Sequence, residues 1–173
     1  MGYNGDYESN GANRQRDLVL STNEFCFIQS KTNGQIKTYC GPITITISQQ
    51  ESMVVFDTKS KRFRETNDFE KARQFFISAP EGWYAALKNP AVDNIHPEAA
   101  KAMLSPELVI GHKINIAGPA NFALFPGQMA RVIRGHRLRS NQYLIARVYD
   151  AEAIVNSEAI IVDNEGNSVK NET

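Results

Sequence analysis

The residues with the most suggestive chemistry are cations. Five arginines are close together in the last third of the chain: Arg131, Arg134, Arg137, Arg139 and Arg147. With Lys59, Lys61, Arg62 and Arg64, and with the rings of Trp83 and Tyr143, they could line a groove that binds phosphates and stacks bases. They could equally pair with acidic residues of a neighbouring unit or subunit. We favour the second interpretation because 19 basic and 19 acidic residues give a formal net charge of zero, which does not draw a whole chain onto nucleic acid.

Other side chains capable of chemistry are scattered. The three histidines, His96, His112 and His136, have no second histidine or cysteine at the spacing of a metal site. The sequence has no phosphate-binding loop and no nucleophile motif. Asp150 and Glu152 are near each other in sequence, but paired carboxylates must share a cleft to act as acid and base. We therefore expect a protein that is not an enzyme and that uses no metal and no cofactor.

The two cysteines are expected to be buried and unbonded. Asn33-Gly34 separates two strand-like runs, and this dipeptide favours a two-residue hairpin turn. Such a turn pairs Phe27 with Cys40 and places Cys26 on the opposite face. A longer turn would change this register. Two cysteines are also too few for a disulfide framework, so we expect them to act as small apolar core residues.

Strand patterns dominate the elements that must position these residues. Short runs of β-branched and aromatic residues are separated by Gly, Pro and Asn. The clearest run covers residues 43–47, where three isoleucines alternate with two threonines and so occupy one face of a strand. The sequence predicts a mainly β fold of small antiparallel sheets.

Helical patterns are few and short. Residues 96–104 have Pro97 near a helix start, strong helix formers after it and Ser105-Pro106 as a stop. Residues 67–73 form a weaker pattern that begins with Asn67, three residues before a glutamate, as in a capping box. We predict a short helix inserted within residues 91–110.

An internal repeat organises the predicted strands. Residues 20–28 align with residues 77–85, so that Ser21 matches Ser78, and a third copy begins at Leu138. Regular self-similarity of this kind is typical of tandem repeat proteins.

Two Gly-Pro steps extend the alignment. Gly41-Pro42 matches Gly118-Pro119, and residues 43–45 match residues 120–122. The second spacing is longer, and the insertion at residues 91–110 accounts for the difference.

In this cycle of strands and turns the chain resembles the repeats of the major vault protein family, which form the wall of a cytoplasmic particle. Three segments carry the resemblance: Ser78-Ala79-Pro80-Glu81-Gly82-Trp83-Tyr84-Ala85-Ala86-Leu87-Lys88-Asn89-Pro90, Phe122-Ala123-Leu124-Phe125-Pro126-Gly127-Gln128-Met129 and Arg137-Leu138-Arg139-Ser140-Asn141-Gln142-Tyr143-Leu144. The resemblance implies tandem β-sheet repeats that self-assemble. The chain departs from the family in its small number of units, in its lack of a long helical region and in the 91–110 insertion, so a vault-like repeat is better supported than a vault.

These observations predict a division of the chain. We expect a disordered arm (1–16), a first β repeat (17–74), a second β repeat with the helical insertion 91–110 (75–137), a partial third repeat (138–162) and a disordered tail (163–173).

We expect a non-enzymatic structural protein that forms homo-oligomers through lateral contacts between open strand edges, because unpaired edges recruit other chains. The assembly would be a shell, ring or tube, as a cellular cage or as a virion component of a phage or virus. No apolar run is long enough to span a bilayer and no secretion signal is seen, so we expect no membrane partner and a cytoplasmic location, or the virion if the protein is viral. The alternative is a monomeric module that binds nucleic acid or a partner protein through basic residues 131–147.

Overall fold

The fold is known from a computed structural model that describes residues 17–143, residue 145, residues 161–162 and residues 168–169. The chain divides into two compact units, Met1–His136 and Arg137–Thr173. The predicted arm at residues 1–16 and most of the predicted third repeat lie outside the described residues.

The described residues form a mainly β structure of small antiparallel sheets with one short helix, which confirms the predicted fold class. In chain order the elements are β1 (Asp17–Leu20), β2 (Glu24–Ser30), β3 (Ile36–Cys40), β4 (Ile43–Thr46), β5 (Glu51–Asp57), β6 (Arg62–Thr66), α1 (Phe69–Ala72), β7 (Gln74–Phe75), β8 (Ile77–Ala79), β9 (Trp83–Lys88), β10 (Ala102–Leu104), β11 (Lys113–Ala117), β12 (Ala120–Phe122), β13 (Met129–Arg134), β14 (Ile161–Val162) and β15 (Ser168–Val169).

The described part of the first unit, residues 17–136, contains four sheets. The largest has the strand order β10-β3-β2-β5-β6, and β7 also pairs with β2. A three-stranded sheet has the order β11-β9-β13, and two small sheets pair β1 with β4 and β8 with β12. All of these pairings are antiparallel.

Strand β2 lies between two hydrophobic cores. Phe25 and Phe27 belong to one core, which also contains side chains from β8, β9 and β12. Cys26 and Ile28 belong to the other, with side chains from β1, β4 and α1. Successive residues of a strand point to opposite faces, so a segment covered on both faces favours apolar residues at successive positions. This explains the unbroken apolar run at residues 25–28 of β2.

The register of the β2–β3 hairpin differs from the prediction by two residues. Phe25, not Phe27, lies opposite Cys40. Residues 31–34 form a longer loop, closed by hydrogen bonds from the Ser30 amide to Gln35 and from the Gly34 amide to Ser30. Within this loop Gly34 has a positive φ but Asn33 does not, whereas the predicted two-residue turn needs a positive φ at both positions.

A shift of two residues keeps every side chain on its face, because strand alternation has a period of two. Cys26 and Cys40 therefore still lie on opposite faces, and they belong to different cores. Both thiols are free and buried, as the sequence predicts.

The helix predicted within residues 91–110 is not formed. Residues 102–104 make strand β10 instead, which pairs with β3. The Cys40 amide donates to the Lys101 carbonyl at 3.0 Å, and Ala100 has a φ of 56°, outside the helical region. A helix this short is marginal alone, and the free edge of β3 supplies hydrogen-bond partners that a strand can use.

Helix α1 forms in the segment whose helical pattern is weaker. Its N-cap is Asp68 rather than Asn67, and the Asp68 side chain accepts hydrogen bonds from the backbone amides of Glu70 and Lys71. A carboxylate at this position satisfies amides that have no partner within the helix.

One pairing scheme occurs twice in the first unit. β1–β4 and β8–β12 are the small pairs, and the central strands β2 and β9 each have two antiparallel neighbours at equivalent places. The Gly41 amide donates to the Glu24 carbonyl and the Gly118 amide donates to the Trp83 carbonyl, both at 2.8 Å.

These contacts change part of the sequence alignment. Leu20 lies opposite Ile43, and Ala79 lies opposite Ala120. Leu20 is therefore equivalent to Ala79, so the alignment of residues 20–28 with residues 77–85 is wrong by two residues. The matches after each Gly-Pro step agree with the pairing.

In the second unit, β14 pairs with β15 in antiparallel register. β15 lies within the segment 163–173 that the sequence predicts to be a disordered tail.

Candidate functional site

The arginines grouped in the sequence do not share one surface. Arg131 and Arg134 both lie on β13, three positions apart, and so on opposite faces of the strand. In the β9–β13 register Arg131 is opposite Ala86 and Arg134 is opposite Trp83. Arg137 and Arg139 belong to the second unit and are exposed. Arg147 lies outside the described residues.

The sheet β11-β9-β13 has one apolar face and one basic face. Six of its side chains belong to or pack against the core: Ala85, Leu87, Ile114, Ile116, Ala130 and Val132. The alternate positions form the opposite surface, which we call the basic face: Tyr84, Ala86, Lys88, Lys113, Asn115, Ala117, Met129, Arg131 and Ile133. This set has three cations and no acidic residue. All nine side chains are partly or fully exposed.

Lys88 and Lys113 are directly opposite each other on neighbouring strands. Side chains at such positions are close, and like charges there destabilise a sheet. Arg131 is on the other neighbour of β9, two positions further along the register. Three positive charges are therefore concentrated on a surface three strands wide.

Sequence reasoning missed Lys88 and Lys113 because they are isolated in the chain. The strands β9 and β11 are far apart in the sequence, and only their register shows that Lys88 and Lys113 are neighbours. The alternation of β11 and β9 was a usable signal, since it separates their polar positions from their apolar ones.

The basic face has no counter-ion among the residues that the structure describes. The ion pairs among the described residues join Arg64 with Asp57, Lys71 with Asp68, Arg73 with Glu24 and Glu70, and Lys101 with Glu98. None includes Lys88, Lys113 or Arg131. By contrast, the second basic run is partly neutralised, because Arg64 lies 3.0 Å from Asp57. The backbone N–H of Lys59 and the hydroxyl of Ser60 donate to Asp57 and lower the pKa of its carboxyl group.

A second surface is apolar. The 91–110 segment exposes five large apolar side chains, which we call the insertion patch: Val92, Ile95, Leu104, Val109 and Ile110. Short-range pairing organises part of it, since the Val92 amide donates to Glu107 and the Val109 amide donates to Pro90. Ala91 and Leu108 form an antiparallel bridge between these two hydrogen bonds. Val92 and Val109 therefore lie on the face opposite to that of the buried Ala91.

The cysteines are unsuited to nucleophilic chemistry. Burial raises the pKa of the Cys26 thiol to about 12, and the nearby Cys40 adds to the effect. Burial alone raises the pKa of Cys40 to about 11. The thiolate is the reactive form, and the raised pKa values disfavour it at neutral pH.

Within the described residues, no group of three or more His, Cys, Asp and Glu side chains is placed to hold a metal ion. His96 instead stacks on Phe122, with ring centroids 4.2 Å apart.

A cavity of about 240 Å³ is lined by side chains of β5 and β6 and of the segment before β13. Its wall includes the rings of Phe27, Phe56 and Phe63, which pack edge to face. The side-chain amide of Gln128 is already hydrogen-bonded within the protein. Its oxygen accepts from the Phe125 backbone N–H, and its nitrogen donates to the Asn89 backbone carbonyl. The cavity therefore offers mainly apolar contact.

Comparisons with protein-family models, with curated proteins and with solved structures found no match to this chain. Among the described residues there is no helix long and apolar enough to cross a membrane.

Proposed function

We propose that the protein is a non-enzymatic structural protein whose copies associate side by side into a shell, ring or tube. The observation that carries this proposal is the insertion patch, because burying its exposed apolar side chains against another chain would remove them from water. A second copy of the chain is the partner that the proposal requires.

Open strand edges support lateral association. β10 is a terminal strand of its sheet, and β11 and β13 are terminal in theirs. Each has a row of backbone groups without a strand partner on its outer side among the described residues. Such edges pair readily with another chain. β10 also carries Leu104 of the insertion patch, so one contact could combine strand pairing with apolar burial.

The repeated pairing scheme and the vault-like sequence pattern favour the same function. A protein built of equivalent small units can use similar contacts between chains and within one chain. A head-to-tail contact between copies closes into a ring or continues as a filament, depending on its rotation. The zero net charge provides little repulsion against either.

The test measures mass by light scattering after size exclusion over a range of protein concentrations, with negative-stain images of any large fraction. We expect mass to rise with concentration for the natural chain and Ile110→Lys to suppress the rise, because a charge would enter the contact. Val19→Lys is the matched control: Val19 is 55% exposed and Ile110 is 76% exposed, but Val19 lies on β1, outside the patch. A strict monomer at every concentration would contradict the proposal.

A further inference from the structure

We propose that the basic face binds single-stranded nucleic acid, with Lys88, Lys113 and Arg131 contacting phosphates and Tyr84 stacking on a base. This site differs from the arginine run in the sequence, of which it includes Arg131 alone. It is also separate from the insertion patch, since none of its residues belongs to that patch.

The charges point to an anionic ligand. Lys88 and Lys113 face each other across β9 and β11 without an acidic neighbour on the same surface. Placing like charges opposite each other costs stability, and a bound anion removes that cost. The equivalent surface of the β2 sheet carries no such charge. At the positions of the Ala86–Arg131 pair on β9 and β13, the β2 sheet has the apolar pair Phe27–Val54. The Phe27–Val54 pair is buried in a core, whereas Arg131 is exposed.

The arrangement of the face favours a chain of phosphates over a single anion. Along β9 the functional positions fall in three rows of the register: Lys88 with Lys113, then Asn115 with Arg131, then Tyr84. Successive rows are two residues apart, or about 6.6 Å along a strand. Two rows supply cations and the third supplies a partly buried aromatic ring. Proteins combine cations and rings in this way to bind single strands without sequence preference.

A sheet face suits a single strand better than the other polyanions. The major groove of a duplex admits a helix or a two-stranded ribbon, not the broad face of a three-stranded sheet. An extended acidic peptide adds to a sheet edge through its backbone, and would leave the Tyr84 ring and the exposed Asn115 amide without a role. Bases splayed from a single strand use both, because they stack on rings and form hydrogen bonds with amides.

The experiment is a titration of a fluorescent oligothymidylate of about 20 nucleotides with the full chain, followed by anisotropy between about 50 and about 200 mM salt. Three phosphate contacts predict a slope of log K against log salt of about −2 for a single strand. A duplex of the same length is expected to compete weakly.

Two sets of variants locate the site. Lys88→Gln, Lys113→Gln and Arg131→Gln combined are expected to lower affinity at least tenfold and to flatten the salt dependence. The matched control combines Lys59→Gln, Lys61→Gln and Arg62→Gln, which removes the same charge from the other basic run and is expected to leave binding nearly unchanged.

A second variant tests the ring without changing charge. Tyr84→Ala is expected to weaken binding about fivefold or more and to leave the salt slope as it was, whereas Tyr84→Phe retains affinity. Circular dichroism and thermal melting check that each variant is folded.

Three outcomes would overturn the proposal. The first is absence of salt-dependent binding by the natural chain. The second is an equal loss in both triple variants, which would indicate a general charge effect. The third is competition by polyglutamate as strong as that by unlabelled oligothymidylate, since it shows that the face takes an acidic protein segment.

Discussion

Strand alternation decides what a charged side chain can do in this protein. Arg131 and Arg134 look like members of one cluster in the sequence, yet they lie on opposite faces of β13. Lys88 and Lys113 look unrelated in the sequence and are direct cross-strand neighbours. Proximity along the chain is therefore a poor guide to a binding surface on a sheet. The register between paired strands is a better guide.

His96 provides a pH test at the same scale. Burial lowers the pKa of its imidazole below the ordinary value of 6.5, and its Nδ1 is buried with no hydrogen-bond partner among the described residues. The folded state therefore binds a proton less readily than the unfolded state. The contribution of this group to stability is present above pH 6.5 and is lost as the pH falls through the lower folded pKa.

We expect the free energy of unfolding, measured by urea titration, to fall as the pH is lowered from neutrality. His96→Phe should reduce this slope, because it keeps a ring on Phe122 and has nothing to protonate. An unchanged slope in the variant would assign the pH dependence to other groups.

At the scale of elements, two backbone segments approach each other closely at each Gly-Pro step. A Cβ atom at Gly41 would overlap the Ser21 carbonyl oxygen, and one at Gly118 would overlap the Pro80 carbonyl oxygen. Both obstacles are backbone atoms, which cannot move aside as a flexible side chain can. The Gly residue in each step is therefore required by close approach of two backbone segments.

Gly41→Ala and Gly118→Ala are each expected to lower the free energy of unfolding by more than about 2 kcal/mol. Gly34→Ala is the control, because a Cβ there meets nothing within 4 Å and the cost is limited to its positive φ, about 1 kcal/mol. Chemical denaturation of the three variants measures the difference. Equal losses in all three would show that the backbone contacts at Gly41 and Gly118 are not tight.

The element scale also shows where local sequence preference fails. Residues 96–104 contain good helix formers, but part of that segment pairs as β10 with the edge of β3. Residues 67–73 have the weaker helical pattern and form α1, because Asp68 caps its amides. A short segment takes the structure for which its neighbours supply hydrogen bonds.

At the scale of the whole molecule, the first unit is held together by one core that combines both halves of its chain. Phe25 and Phe27 share a core with Leu87 and Phe122, and the buried Thr38 hydroxyl donates to the Leu124 carbonyl at 3.2 Å. These contacts join the two occurrences of the pairing scheme. We therefore expect the two halves of the unit to unfold together.

A chain truncated after His136 is expected to fold and to unfold in one cooperative transition. Both cores consist of residues that precede this point, so the fragment keeps the apolar burial on which they depend. Urea denaturation followed by tryptophan fluorescence and by circular dichroism should give coincident curves with an m value of about 1–3 kcal/mol/M. Separate transitions would show that the halves are independent domains.

The sequence by itself determined the mainly β class, the apolar and polar positions within most strands, the burial of Cys26 and Cys40, and the equivalence of the segments after each Gly-Pro step. All of these depend on alternation and on turn residues, which are local properties of the chain. The tertiary structure alone decided the hairpin register, the strand at residues 102–104 and the set of cations on the basic face. Those features depend on which strands become neighbours, and hydrogen bonding between distant segments, not local preference, determines that pairing.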